Sequence, residues 1–226
     1  MSAREDVLGR IRSANRAAGV DTEPVPVVPR DYAATGGLAA GSVEVLDLLE
    51  DRLVDYRATV RRCAGADVAD TVRAALDDAV GVVGEHAGRV RTVVVPPGLP
   101  PDWVPGAVVD DGTRTAPDLD LVDAVVTAAT VAAAVTGTIV LDGSPDQGRR
   151  AISLVPDVHV CVLRAAQVVH SVPEMLARLE PTRPTTFVSG PSATSDIELE
   201  RVEGVHGPRT LSVVLVTPST SGPPVT

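Results

Sequence analysis

Lysine is missing from this chain: all 20 of its Lys and Arg residues are arginines. That excludes Schiff-base chemistry, pyridoxal-phosphate attachment and a Walker-type phosphate loop, each of which needs a lysine amine. Aromatics are almost as scarce, at 2% of residues, with one Trp, two Tyr and one Phe. The core must therefore be aliphatic. The two cysteines, Cys63 and Cys161, lie far apart in no metal-ligand spacing, and one pair does not make the disulfide framework of a secreted scaffold. Positive charge is in deficit too: 30 acidic against 20 basic residues leaves −10. A nucleic-acid partner is disfavoured, because duplex binding rests on neutralising phosphates; Arg61-Arg62 and Arg149-Arg150 are local exceptions. No apolar run reaches the length of a membrane span, and the longest, near Ala124 to Leu141, is broken by Thr and Gly. The charged, amphipathic N-terminus lacks the apolar centre of a signal peptide. These absences point to a soluble, cytoplasmic protein.

What is present suits a folded α/β chain. At 226 residues and 44% hydrophobic content, Val and Ala abound and a sizeable core is available. Apolar residues at helical spacing predict helices over Ala3–Ala18, Val43–Cys63 and Val68–Val80. Asp21 to Pro29 is a proline-rich linker. From Arg91 the period changes. Short continuous runs at Val93–Val95, Ala107–Val109, Ala124–Thr127, Ile139–Leu141, Val158–Val162 and Leu211–Val216 read as buried strands of an open, largely parallel sheet. Brief helices fall between them at Pro117–Val122 and Val172–Leu179. The expected organisation is an N-terminal helical region over 1–90 packing on the sheet, an α/β domain over 91–217, and a disordered tail over 218–226.

The stretch Thr185 to Pro208 carries the most chemistry. A strand-like run stops at Ser189-Gly190-Pro191-Ser192. Ser195-Asp196-Ile197-Glu198 then has the spacing of a helix-starting capping box. A second glycine loop, Gly204 to Pro208, presents His206 and leads to the last strand. In an α/β sheet such loops are expected at the carboxyl ends of strands, where ligands usually bind. Ser189, Ser192, Thr194 and Ser195 around Gly190 can cradle a phosphate or carboxylate together with free helix N–H groups, or simply make a turn and a cap. Asp196 and Glu198 read as capping and salt-bridging groups more than as an acid/base pair. His206, between glycines, suits proton transfer or anion binding, or a structural hydrogen bond. Arg149 and Arg150 can clamp a carboxylate or phosphate, or form a solvated turn. Thr136 and Thr138 about Gly137 present hydroxyls or end a turn. His159, in the middle of a strand, is read as a satisfied core histidine. Asp196, Glu198 and His206 match no metal-ligand spacing, so no metal site is expected.

Taken together, Thr136 to Leu141, Gly148-Arg149-Arg150, Ser153 to His159, Ser189 to Glu198 and Gly204 to Pro208 resemble the LutC/YkgG lactate-utilisation family, the LUD domain. The resemblance covers roughly Val93 to Val216. It implies a Rossmann-like fold similar to the NagB/RpiA/CoA-transferase group. It also implies support for oxidation of L-lactate to pyruvate beside iron–sulfur partner proteins, with no cluster or metal ligands in this chain and its cofactor unknown. Family members usually read Ala-Glu-Thr-Gly-Thr where this chain has Ala134-Val135-Thr136-Gly137-Thr138, so Val135 replaces a carboxylate. The expected function is binding of a small anionic or phosphate-bearing ligand at strand ends, with His206 the catalytic candidate. Thr136, Gly137, Thr138, Arg149, Arg150, Ser189, Gly190, Ser192, Thr194, Ser195, Asp196 and Glu198 are the ligand-binding candidates. The alternatives are a stand-alone acyl- or CoA-transferase, a sugar-phosphate isomerase-like enzyme, and a non-catalytic assembly subunit.

Overall fold

In the computed structural model, residues 2–19, 27–83, 92–195, 201–203 and 206–218 are described. The chain divides into a short unit, Met1–Ala33, and a larger one, Ala34–Thr226. The first holds α1 (Ala3–Ala17), which starts at a capping box: Glu5 N–H donates to Ser2 Oγ and Ser2 N–H to Glu5 Oε2. None of its residues is buried.

The larger unit opens with α2 (Val43–Asp55), β1 (Thr59–Ala64) and α3 (Val68–Val83). The helix expected over 43–63 is thus two elements. It ends in a Schellman motif, with Arg57 N–H bonded to Val54 O and Ala58 N–H to Leu53 O while Arg57 sits at φ 68°. Glycine usually takes that position. With arginine there, nothing in the sequence announces the stop.

There follow β2 (Val93–Val95), β3 (Val108–Val109), α4 (Ala116–Asp120), β4 (Ala124–Ala128), β5 (Val131–Ala133), β6 (Thr138–Leu141) and β7 (Val158–Arg164). The chain continues through β8 (Val168–Val169), α5 (Val172–Leu176), β9 (Thr186–Val188), β10 (Ala193–Ser195), β11 (Arg201–Glu203) and β12 (Thr210–Thr217). The main sheet has six strands in the order β1-β12-β7-β4-β2-β3, every neighbouring pair parallel. This is the open parallel α/β sheet that the valine-rich runs predict. A second sheet, β8-β5-β6-β9, is mixed, and β10 and β11 pair as an antiparallel ribbon.

Buried on both faces, the central strands need no alternation. Along β7, Val158, Val160 and Val162 pack with α3, whereas Cys161 and Leu163 face α2 and the second sheet. Leu49 and Leu53 of α2 are fully buried in the latter layer, each worth about 1.5–3 kcal/mol of transfer free energy. A smaller cluster on the same face joins Val94, Val125 and Ile152. Between the two clusters lie Thr127 and His159, both buried and polar. The arginine pair on edge strand β1 is neutralised by its helices: Arg62 meets Asp47 at 2.7 Å and Glu50 at 2.6 Å, and Arg61 meets Asp78. Such charges also guard a free sheet edge. The tail expected over 218–226 lies outside the described residues except for Pro218.

Candidate functional site

Two glycine-containing bends converge. Ser192 N–H donates to Pro208 O at 2.8 Å, and His206 N–H donates to Ser192 Oγ at 2.9 Å. They wall a cavity of about 240 Å³ whose floor is the main sheet, at His159 and Leu211, and whose opposite wall is Arg150 and Ser153. That volume falls below the roughly 300–1,000 Å³ typical of drug-sized ligands, so it suits a small one. Its position corrects the expectation from the sequence in part. The 206–208 segment precedes β12, and His159 and Leu211 are each the second residue of their strand. The cavity therefore lies over the main-sheet face toward the amino ends of β7 and β12, while Ser189–Ser192 reach it from the carboxyl end of β9 in the second sheet, as expected for that bend.

A second correction concerns Ser195. Ser195 is itself a strand residue: Ala193, Thr194 and Ser195 form β10, paired with Glu203, Val202 and Arg201, and the residues that follow it, 196–200, lie outside the described residues. Asp196 and Glu198 lie outside the described residues.

The other candidates divide. Gly190 lies in the cavity wall at φ 78°, and a Cβ there would sit 2.5 Å from Cβ of Tyr56, so only glycine fits the close approach. Ser189 also lines the cavity, and its hydroxyl bonds Thr138 Oγ1 at 2.9 Å, which in turn bonds Thr136 Oγ1 at 2.8 Å. Those threonines and Gly137 make the β5–β6 turn and lie outside the cavity lining. Arg149 is already engaged. It grips buried Asp110 through Nε at 2.7 Å and Nη2 at 3.0 Å, and gives a further bond to Arg114 O. The guanidinium holds Asp110 below the usual carboxylate range, with its burial opposing. This pair lines a separate, wider cleft of about 1010 Å³ at the ends of β2 and β3, where Arg183 is likewise paired with Asp142 at 3.2 Å.

Arg150 differs from its neighbour. It lines both the cavity and the cleft, and among the described residues it faces no carboxylate. Its side chain donates to Ser153 Oγ at 3.2 Å. Although exposed by area, its guanidinium is crowded enough by protein that desolvation lowers its pKa; it stays cationic. Beside it, His159 is 2% exposed and bonds Thr127 Oγ1 through Nε2 at 2.8 Å. Burial, then the Arg150 charge, pushes its pKa down to about 4. The ring is neutral at physiological pH.

His159 and Ser153 were not among the sequence candidates. A histidine inside a valine strand looks the same whether it fills a core or floors a cavity. Only the tertiary fold, which leaves this patch between two apolar clusters, distinguishes them. Among the described residues no group of His, Cys, Asp and Glu is arranged to hold a metal ion.

A LUD domain profile matches residues 31–216. The chain belongs to the LUD domain family. It is 40% identical over 223 residues to lactate utilization protein C of Deinococcus radiodurans, covering 95% of this chain and 97% of that one. It is 26% identical over 198 residues to lactate utilization protein C of an Exiguobacterium species, covering 83% of each. A crystal structure of a DUF162 family protein from Deinococcus radiodurans superposes with a TM-score of 0.63 at 35% identity, covering 79% of this chain and 99% of that one. The position at which this LUD chain departs from the family's usual run, Val135, is 45% exposed on the β5–β6 turn. Its N–H bonds His170 O, and it lines neither the cavity nor the wide cleft.

Proposed function

We propose that this LUD protein supports the oxidation of L-lactate to pyruvate, beside iron–sulfur partner proteins, by binding a small carboxylate in the cavity at Arg150. One observation carries the reading: the Arg150 guanidinium lines the small cavity without a carboxylate partner among the described residues, over the buried imidazole of His159. A cation in that state gains most from an incoming anion, because charge-assisted bonds are stronger where water is partly excluded. The relatives named lactate utilization protein C supply the metabolic context.

Size and charge favour a carboxylate over a phosphate-bearing ligand. The cavity is small and offers Arg150 as its guanidinium. In the adjoining cleft, Arg149 and Arg183 are already paired with Asp110 and Asp142, which leaves no cluster of unpaired arginines for the several charges of a phosphate-bearing ligand. Ser192, Ser189 and His206 complete the wall, with Ser192 Oγ ordered by the His206 N–H. Acyl or CoA transfer through a carboxylate nucleophile is disfavoured, because no Asp or Glu lines the cavity among the described residues.

Titration of the purified protein with L-lactate, pyruvate, coenzyme A and nucleotides tests this. Short carboxylates are expected to bind, and Arg150→Ala to weaken them about 10- to 100-fold, as loss of a charged hydrogen bond of about 1.5–3 kcal/mol implies. Binding unchanged in Arg150→Ala and in a Ser192→Ala/His206→Ala double variant would contradict it. Co-purification with cluster-bearing proteins tests the partner claim.

A further inference from the structure

The floor of the cavity holds a polar atom that the carboxylate reading leaves unused. His159 lines the cavity, its Nε2 is held by Thr127 Oγ1, and Nδ1 has no hydrogen-bond partner among the described residues without being sealed in the interior. A ring nitrogen of that kind on a cavity floor is open to a ligand or to water.

Which role Nδ1 plays depends on the tautomer. If the Thr127 hydroxyl donated to Nε2, the ring proton would sit on Nδ1, adding positive character to a ring already within the field of Arg150. If Nε2–H donates to Thr127 instead, Nδ1 offers a lone pair, which a nearby cation favours.

We infer that His159 is a specificity-determining residue: its Nδ1 accepts the hydroxyl of a 2-hydroxy monocarboxylate whose carboxylate is held by Arg150, so the cavity prefers the hydroxy acid to the matching oxo acid. This rests on the reading of the cavity as a carboxylate seat. A hydroxyl donates to the lone pair, whereas a ketone oxygen has no proton to give and would set two acceptors against each other. Thr127 is a positioning residue that fixes the tautomer without touching the ligand.

The test compares L-lactate, pyruvate and propionate by calorimetric titration against wild type, His159→Phe and Thr127→Val, with ¹⁵N NMR of the wild-type imidazole. Lactate is expected to bind about five- to tenfold more tightly than pyruvate or propionate, the difference one neutral hydrogen bond makes. His159→Phe is expected to erase the preference, so that lactate, pyruvate and propionate bind alike. Thr127→Val is expected to narrow it. The NMR spectrum is expected to show Nε2 protonated and Nδ1 bare in the unliganded protein, a result independent of whether either variant folds. Pyruvate binding as tightly as lactate, still dependent on Arg150, would overturn the role of His159 while leaving the carboxylate seat standing. A protonated Nδ1 would overturn it too. Failure of all three acids to bind would overturn both.

Discussion

Adjacent arginines at positions 149 and 150 should respond in opposite ways to truncation. Asp110 has a side chain only 4% exposed, and Arg149 satisfies it with paired bonds of 2.7 and 3.0 Å. Arg149→Ala strands that carboxylate and leaves Arg114 O without its donor. Removing one partner of a fully buried pair costs about 3–5 kcal/mol. Arg149 is itself 34% exposed, so water reaches the gap and the loss is set nearer about 2 kcal/mol. In urea, with a slope of about 1–3 kcal/mol per molar, that is a midpoint shift of about 1 M. Arg150→Ala should move the midpoint by no more than about 0.5 kcal/mol equivalent, because its bonds are to Ser153 rather than to a buried charge. Adding Asp110→Asn to Arg149→Ala should recover part of the loss by deleting the stranded charge. Equal midpoints for the two single variants, or a double variant no more stable than Arg149→Ala, would refute the argument. The sign of the pH effect follows from the same pair. Asp110 is held below its ordinary value of 3.8, so its contribution is present above that value and is lost as pH falls through the lower folded value.

Other outcomes are expected. His159, lowered from 6.5 to about 4, makes folding cost more in acid: its stabilisation is complete above 6.5 and declines toward pH 4 by as much as about 3 kcal/mol. A His159→Phe variant should therefore lose less stability than wild type between pH 7 and 5 in matched thermal melts. Gly190→Ala forces a Cβ to 2.5 Å from Tyr56 at a left-handed backbone and should cost about 1–3 kcal/mol by the same assay. Cys161, buried and pushed up to about 12, should resist thiol reagents until the protein unfolds, whereas half-buried Cys63 should react slowly in the native state; rapid native labelling of Cys161 would contradict its placement.

How much of this was legible in the sequence depended on whether the signal was local. The valine runs at 93–95, 124–127 and 158–162 showed their strands because strands buried on both faces have no competing pattern. The stop at Ser189-Gly190-Pro191-Ser192 was equally plain, since few residues other than glycine accept such a turn. The end of α2 was hidden, because Arg57 occupies a position that glycine normally marks and Val60 happens to continue the helical spacing. Ser195-Asp196-Ile197-Glu198 has the spacing of a helix start, and the sequence did not reveal that Ser195 itself pairs in β10 with Arg201 of β11. The distinction between Arg149 and Arg150 was invisible for another reason. It depends on Asp110, 39 positions away, which only the parallel sheet brings beside one of them.

A crystal of this protein soaked in L-lactate gives the most direct test of the carboxylate seat. The account predicts density in the small cavity, with carboxylate oxygens about 3 Å from the Arg150 guanidinium and the ligand resting on His159. Lactate lodged instead in the wide cleft at Asp110, or absent from a saturated soak, would contradict it.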